Sequence, residues 1–89
     1  MMVKVKLFAN FREAAGKREL EMKATTVREV IDRLASEYPA MKDLFFRDGE
    51  LRDYVQIMVN GRHINLLGGV DTELEDDDVV AIFPPVSGG

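Results

Sequence analysis

Hydrophobic and polar residues alternate near the start of the chain in the pattern of a β-strand. Over residues 3–7, valine and leucine alternate with lysine, and a period of two is typical of a strand with one buried face. Leu20 and Met22 repeat the alternation after residues 10–17, which we predict to be a turn or a single helical turn. The two strands are predicted to pair as a hairpin.

Residues 27–38 have the periodicity of an amphipathic helix. Thr26 and Glu29 form a capping-box pair, in which each side chain can bind a backbone N–H that the first helical turn leaves free. Pro39 is predicted to end the helix. The stripe that we expect to face the core consists of Val27, Val30, Ile31, Leu34, Ala35 and Tyr38.

The segment after the helix contributes less regular structure. Residues 41–46 are predicted to form a short helical turn that adds to the core. Asp48 and Gly49 are a turn signal, and residues 50–54 are predicted to be a loop.

Two further strands complete the predicted sheet. Residues 55–59 alternate again, and Asn60-Gly61 is a two-residue hairpin signal. Residues 79–83 are continuously hydrophobic, as in a strand buried in the middle of a sheet. The pattern predicts an α+β fold, a mixed sheet of about five strands with one main helix on one face. The first and last strands should lie side by side at its centre.

The composition is that of one globular domain. The chain has 89 residues, of which 46% are hydrophobic and 31% charged. Without cysteine it can form no disulfide and cannot carry sulfur as a persulfide on a side chain. A net charge of −4 argues against nucleic acid and favours protein partners with basic surfaces. No hydrophobic run approaches the ~20 residues that span a membrane, and no signal-peptide pattern is present, so we expect a cytoplasmic location.

The sequence has few candidates for an internal active site. One histidine and no cysteine exclude a Cys-His dyad, and no Gly-rich phosphate loop follows a strand. Asp76, Asp77 and Asp78 allow two interpretations, a cation site or a solvated turn, but they lack the ligand spacing of a calcium loop. We therefore expect the chain to bind no metal and no cofactor.

Two aromatic residues are predicted on the sheet face that the helix leaves open. Phe8 continues the lysine side of the first strand, and Phe83 faces away from the helix if its neighbours in the last strand face inward. His63 shares this face if Ile64 points to the core. Either a second layer, formed by residues 66–75, covers these rings, or they form a protein-docking patch. His63 is either an ordinary, partly exposed strand residue or part of that patch.

Beyond residue 83 the strand pattern stops. The chain continues as Pro84, Pro85, Val86, Ser87, Gly88 and Gly89. Prolines favour an extended path, and glycines can pass through a channel too narrow for other residues. At ~3.1–3.3 Å per residue, the segment would place its terminal carboxylate roughly 18–20 Å from the sheet. It is either a frayed terminus or a tip that presents the Gly89 carboxylate to another enzyme, and we predict the second.

Three segments together resemble the small, sulfur-carrying subunit of molybdopterin synthase. Residues 3–16 read Val-Lys-Val-Lys-Leu-Phe-Ala, then Asn and Phe-Arg-Glu-Ala-Ala-Gly, and Val59-Asn60-Gly61 matches the family's hairpin. Residues 77–89 end in Phe-Pro-Pro-Val-Ser-Gly-Gly, which is the specific signature. The resemblance implies a ubiquitin-like β-grasp domain over residues 1–83 and an extended Gly-Gly tail over residues 84–89.

The resemblance also implies a mechanism and partners. An adenylating enzyme related to ubiquitin-activating enzymes, which would hold ATP and magnesium, joins Gly89 to AMP. A sulfur donor replaces AMP and leaves a thiocarboxylate. The large subunit of molybdopterin synthase supplies the catalytic side chains and receives the sulfur, so this chain is not an enzyme on its own. Phe8, Phe83 and residues 84–87 are implied docking contacts, and His63, where the family commonly has an apolar residue, lies beside them.

Three alternatives remain open. The chain could be a protein modifier joined through Gly89 to lysines on targets, as in archaeal proteins of the same family. It could be the related sulfur carrier for the thiamine thiazole, although those chains are usually shorter and lack the Phe-Pro-Pro-Val ending. It could also be a binding module with an inert tail.

Overall fold

A five-stranded mixed sheet, crossed on one face by a helix, forms the centre of the molecule. The computed structural model describes residues 1–52 and 55–84. The strands are β1 (Met2–Leu7), β2 (Glu19–Lys23), β3 (Phe46–Arg47), β4 (Glu50–Leu51), β5 (Gln56–Val59), β6 (Arg62–His63) and β7 (Val79–Phe83), and the helices are α1 (Ala9–Ala15), α2 (Val27–Glu37) and α3 (Pro39–Phe45). Two 3-10 turns follow β6, at Ile64–Leu66 and Gly69–Asp71.

The strand order is β2-β1-β7-β5-β6, with β3 and β4 forming a separate hairpin. β1 and β7 are parallel, so that Val5 lies beside Val80, and the other neighbours are antiparallel. The predicted α+β architecture, with the first and last strands adjacent at the centre, is confirmed. The Asn60-Gly61 hairpin is also confirmed, since both residues have the positive φ angles, 51° and 84°, that such a turn requires.

The stripe on α2 packs against the buried face of the sheet. Within this stripe, Val27, Val30, Ile31 and Leu34 are buried. At the start of the helix, Thr26 Oγ1 accepts a hydrogen bond from the backbone N–H of Glu29 at 3.2 Å. The Glu29 carboxylate accepts from the N–H of Thr25 at 3.1 Å, one residue before the cap. β1, β7 and α2 contribute nine residues to the core between sheet and helix: Val3, Val5, Leu7, Val27, Val30, Ile31, Leu34, Val80 and Ile82.

Two segments that were predicted to be a turn and a loop contain regular structure. The predicted turn at residues 10–17 contains helix α1, which ends at Gly16 in a left-handed conformation whose N–H binds Arg12 O at 2.8 Å. Hydrophobic contact supports this short helix, because Phe11 is buried against Phe45 with ring centroids 4.8 Å apart. The predicted loop at residues 50–54 contains β4 at Glu50–Leu51, since the Asp48-Gly49 turn pairs it with β3.

Helix α3 is longer than the predicted short turn. Pro39 ends the hydrophobic stripe of α2 as predicted, but it also begins α3 as its first residue. Proline is well suited to that position, because its missing N–H would have no partner in the first helical turn. Met41 and Phe45 are both buried, so α3 extends the core.

The segment after β6 packs on the helix side of the sheet. Thr72 O accepts a hydrogen bond from the N–H of Val27 at 3.1 Å, and the Asp71 carboxylate pairs with Arg28 at 3.0 Å. Residues 66–75 therefore do not cover the opposite face. Within the described part of the chain, no helix is long and apolar enough to cross a membrane.

Phe11→Ala should destabilise the domain by ~3–5 kcal/mol, because it would remove a fully buried ring and leave a cavity against Phe45. Urea unfolding would measure the loss. Asn10→Ala, an exposed change on the same helix, is the control and should stay within ~0.5 kcal/mol of the wild type. Equal stability of the two variants would contradict a core role for Phe11.

Candidate docking face

Phe8 and Phe83 stack on each other on the open face of the sheet. Their ring centroids are 4.3 Å apart and the ring planes differ by 11°. Because Leu7 lies beside Ile82 in the parallel pair, the next residue of each chain segment projects to the opposite side. Both rings are half-buried. The predicted placement of Phe8 and Phe83 on the uncovered face is confirmed, and their docking role stays a prediction.

An unusual backbone conformation separates Phe8 from the core aromatic residue of α1. Ala9, the first residue of α1, has φ of +49°, a left-handed conformation that favours glycine and costs a residue with a Cβ on the order of 1 kcal/mol. The reversal at Ala9 lets Phe8 stay on the open face while Phe11 enters the core. The backbone is therefore strained at Ala9, next to the aromatic pair.

A shallow groove of about 550 Å³ runs beside the aromatic pair. β5 and β6 supply its other wall, where Met58 lies opposite His63 in the antiparallel register. The groove is lined by Phe8, Ala9, Gln56, Met58, His63, Phe83 and Pro84. Most of these side chains are apolar and half-buried, which is the character of a surface that binds another protein.

His63 lies on this face, as predicted, and makes two hydrogen bonds there. Its Nδ1 accepts from the backbone N–H of Asn65 at 3.1 Å, which caps the 3-10 turn after β6. Its Nε2 is 2.7 Å from Gln56 Oε1. A backbone N–H can act only as a donor, so Nδ1 is the unprotonated nitrogen and Nε2 carries the hydrogen.

The rest of the open face is charged. Lys4 lies between Glu21 of β2 and Val79 of β7, and Lys6 lies between Glu19 and Ala81. Arg12 adds a further cation, with its guanidinium carbon 5.9 Å from the centroid of the Phe8 ring. An apolar half on β7, β5 and β6 therefore adjoins a half with mixed charge on β1 and β2.

Aspartates before β7 accept hydrogen bonds from neighbouring segments of the chain. Asp76 accepts a hydrogen bond from the N–H of Met2 at 3.1 Å. Asp78 accepts from the N–H of Glu75 and from Asn60 Nδ2, both at 2.8 Å. Across residues 1–52 and 55–84, no group of three or more acidic, histidine or cysteine side chains is arranged to hold a metal ion. The geometry favours the solvated-turn interpretation of these aspartates.

The tail begins at the groove. Pro84 follows β7 directly and lines the groove beside Phe83. The other residues predicted to act in the tail lie outside the described residues: Pro85, Val86, Ser87, Gly88 and Gly89. A partner that covers the groove would therefore also meet the first residue of the tail.

Sequence reasoning missed three lining residues, Ala9, Gln56 and Met58. Two of them could have been predicted from alternation. Gln56 and Met58 lie between residues of the same segment that are buried, Val55, Ile57 and Val59. The strand pairing of β5 with β7 then places them beside Phe83 and Ala81. Nothing in the pattern indicated the backbone reversal at Ala9.

Comparisons with known proteins agree with this architecture. The model of the ThiS family matches residues 5–89. Small archaeal modifier protein 3 from Haloferax volcanii is 36% identical over 92 residues, which cover 100% of both chains. Sulfur carrier protein CysO from Mycobacterium tuberculosis is 30% identical over 77 residues, which cover 83% of each chain.

Solved structures are similar over nearly the whole chain. Small archaeal modifier protein 1 from Methanosarcina acetivorans has a TM-score of 0.92 at 44% identity, covering 99% of this chain and 96% of that one. A protein from Pyrococcus furiosus, provisionally named molybdopterin converting factor subunit 1, has a TM-score of 0.79 at 40% identity, covering 97% and 99%. A chain of the BexX/CysO complex from Amycolatopsis orientalis has a TM-score of 0.84 at 30% identity, covering 98% and 99%. The chain therefore has the ubiquitin-like β-grasp fold and belongs to the ThiS family.

Proposed function

We propose that this chain is a sulfur carrier that acts through the carboxylate of Gly89. The observation that carries the proposal is the family match, which extends to residue 89 and so includes the Gly-Gly pair. A relative named as a sulfur carrier, CysO, supports it. The prediction that the chain is not an enzyme on its own is confirmed by its family, whose named relatives here are carriers and modifiers.

The proposed chemistry takes place on the backbone terminus. A Gly89 carboxylate oxygen attacks the α-phosphorus of ATP on an adenylating enzyme, and pyrophosphate leaves. Hydrosulfide supplied by a sulfur donor then attacks the acyl carbon and displaces AMP, and loss of its proton leaves a thiocarboxylate. AMP is a better leaving group than hydroxide, which is why activation precedes sulfur transfer. The absence of cysteine from the sequence is compatible with this route, because it needs no sulfur-bearing side chain.

The geometry of the open face suits this role. A partner covering the groove would contact the stacked Phe8 and Phe83 rings and meet Pro84 where the tail begins. From there the tail can reach roughly 18–20 Å into a neighbouring active site. The BexX/CysO complex is a structure in which a similar chain is bound to a partner protein.

For the destination of the sulfur we propose the pterin precursor of molybdopterin, bound in the large subunit of molybdopterin synthase. The Phe-Pro-Pro-Val-Ser-Gly-Gly ending and the similarity to the Pyrococcus furiosus protein support this assignment. The thiazole carrier uses the same chemistry up to the thiocarboxylate and differs in its recipient.

A second candidate function is protein modification. The similarity to small archaeal modifier proteins 1 and 3 favours it, and the same acyl-adenylate would react with a lysine amine in place of sulfur. Two assays separate the functions: the thiocarboxylate form is given the large subunit with pterin precursor, and the adenylated form is given a cell extract. Dithiolene product without lysine conjugates supports the carrier, and conjugates without product support the modifier.

Deletion of Gly89, or addition of one residue after it, should reduce adenylation and sulfur loading at least ~100-fold. The acyl carbon must reach the α-phosphate, and a misplacement of about 1 Å can cost ~100-fold in rate. The assay combines the protein with its adenylating enzyme, ATP and a sulfur donor, and measures AMP release and intact mass.

Ser36→Ala, on the exposed side of α2, is the control and should load normally. All these variants should unfold at the same urea concentration, because none of them changes a residue of the buried core, which in the described part of the chain extends no further than Ile82. Wild-type loading by the protein without Gly89 would refute the terminal-carboxylate mechanism.

Phe8→Ala and Phe83→Ala should each weaken binding to the adenylating enzyme at least ~10-fold, as expected for aromatic residues central to an interface. Because the rings are half-buried and stack on each other, each change should also cost ~1–2 kcal/mol of stability, less than Phe11→Ala. Titration calorimetry and urea unfolding measure the two effects.

The matched control for this experiment is Leu66→Ala. Leu66 is 80% exposed and does not line the groove, so this variant should bind and fold as the wild type does. If the two phenylalanine variants unfold as readily as Phe11→Ala, the rings belong to the core and the docking patch does not exist.

A further inference from the structure

We infer that the outer edge of β2, together with the groove between β2 and α2, binds a basic segment of another protein as an added β-strand. The segment extends the sheet beyond β2 and places lysine or arginine at alternate positions against carboxylates of α2. This site lies on the helix side of the sheet, away from the Phe8 and Phe83 rings, and does not depend on the proposed function.

The outer edge of β2 is open to a further strand. β2 stands first in the order β2-β1-β7-β5-β6, so that within the described residues only β1 pairs with it. Just beyond β2, the N–H of Ala24 donates to Met1 O at 2.8 Å. Hydrogen-bonded pairs alternate along two antiparallel strands, and the backbone N–H and C=O groups of Glu19, Glu21 and Lys23 therefore point away from β1.

The opposite edge of the sheet is less suited to such pairing. β6 consists of Arg62 and His63 alone, and a 3-10 turn follows it directly, whereas β2 has five residues. Five residues extend ~17 Å at ~3.3 Å per residue, which is an ordinary strand length in a sheet. β2 is therefore the edge that is long enough to hold an added strand.

A groove of about 540 Å³ lies between this edge and α2. Met22 lines it from the strand, and the carboxylates of Glu29, Asp32 and Glu37 line it from the helix, together with the Arg33 guanidinium. Arg33 is 4.0 Å from Glu29. Asp32 and Glu37 are exposed and make no hydrogen bond or ion pair with any other residue that the structure describes, so both can pair with a partner's cations.

The charge of the groove identifies the chemistry of its occupant. Every second side chain of a strand lies on the same face, so alternate side chains of an added strand face α2. Lysine and arginine fit there, because their aliphatic stems can cover Met22 while their cations reach Asp32 and Glu37. A second copy of this chain fits less well, since antiparallel pairing of two β2 strands would bring the acidic sides of two α2 helices together.

The test titrates the full chain, at neutral pH, with the peptide Thr-Lys-Val-Lys-Val-Lys-Thr, blocked at both ends. NMR should show shifts and slower hydrogen exchange at the backbone N–H groups of Glu19, Glu21 and Lys23, because these groups become hydrogen-bonded. The same peptide with glutamate in place of lysine should not bind. Absence of binding by the lysine peptide, or shifts confined to the face of Phe8 and Phe83, would overturn the inference.

Two methylated peptides separate strand addition from simple charge attraction. One carries N-methyl groups on its two valine residues, and the other carries them on two of its lysine residues. Successive N–H groups of a strand point to opposite sides, so only one of the two sets faces β2. One methylated peptide should therefore bind at least ~10-fold more weakly than the other, because its hydrogen bonds to β2 are lost. Equal affinities would contradict strand addition.

The carboxylates are tested by the Asp32→Asn/Glu37→Gln double variant, which removes both charges and keeps both shapes. It should bind the lysine peptide about 5-fold more weakly, since exposed ion pairs are each worth little. Glu13→Gln/Asp43→Asn, which removes two exposed carboxylates from α1 and α3, is the matched control and should stay within ~2-fold of the wild type because of screening over distance. Equal losses in the two double variants would show that only net charge matters.

Sedimentation of the free chain tests the other occupant, a second copy. A monomer is expected. A dimer that protects the N–H groups of Glu19 and Glu21 from exchange would assign the edge to self-association and overturn the inference. Sulfur loading of the wild type is a separate measurement, so failure at the β2 edge leaves the proposed carrier function untouched.

Discussion

The parallel pairing of β1 with β7 is the contact on which the rest of this structure depends. It joins the two ends of the chain at the centre of the sheet and places Val5 beside Val80 under helix α2. The same register places Phe8 beside Phe83 on the opposite face. A shift of one residue would exchange the two faces of β7, so the core and the docking face have a single cause.

That dependence explains which parts of the fold could be predicted. Strands β1 and β7 and helix α2 carry their periodicity in their own residues, and a strongly patterned segment needs no knowledge of its neighbours. Helix α1 does not: it is seven residues long and has no side-chain cap, too short to be stable alone. Its support comes from Phe45 of α3, a contact between distant parts of the sequence.

In the candidate site, too, some features could be predicted from the alternation of residues and others depend on contacts between distant segments. The face of Phe8, Phe83 and His63 follows from alternation, because each neighbours a residue that must be buried. The hydrogen bond between His63 and Gln56 follows only from the β5–β6 hairpin and the 3-10 turn after it, which bring the two side chains together. The proposed role of the tail depends on neither alternation nor folded contacts, because it was inferred from residue types and family resemblance.

The proposed carrier function requires the chain to bind more than one partner in turn and to leave each of them. Stacked aromatic rings that are half-buried in the free chain are already held in place, so that docking costs little conformational entropy in these side chains. Under the proposed function, the open face of the sheet would select the partner, and the tail, which begins where β7 ends at Phe83, would meet the chemistry that the partner provides.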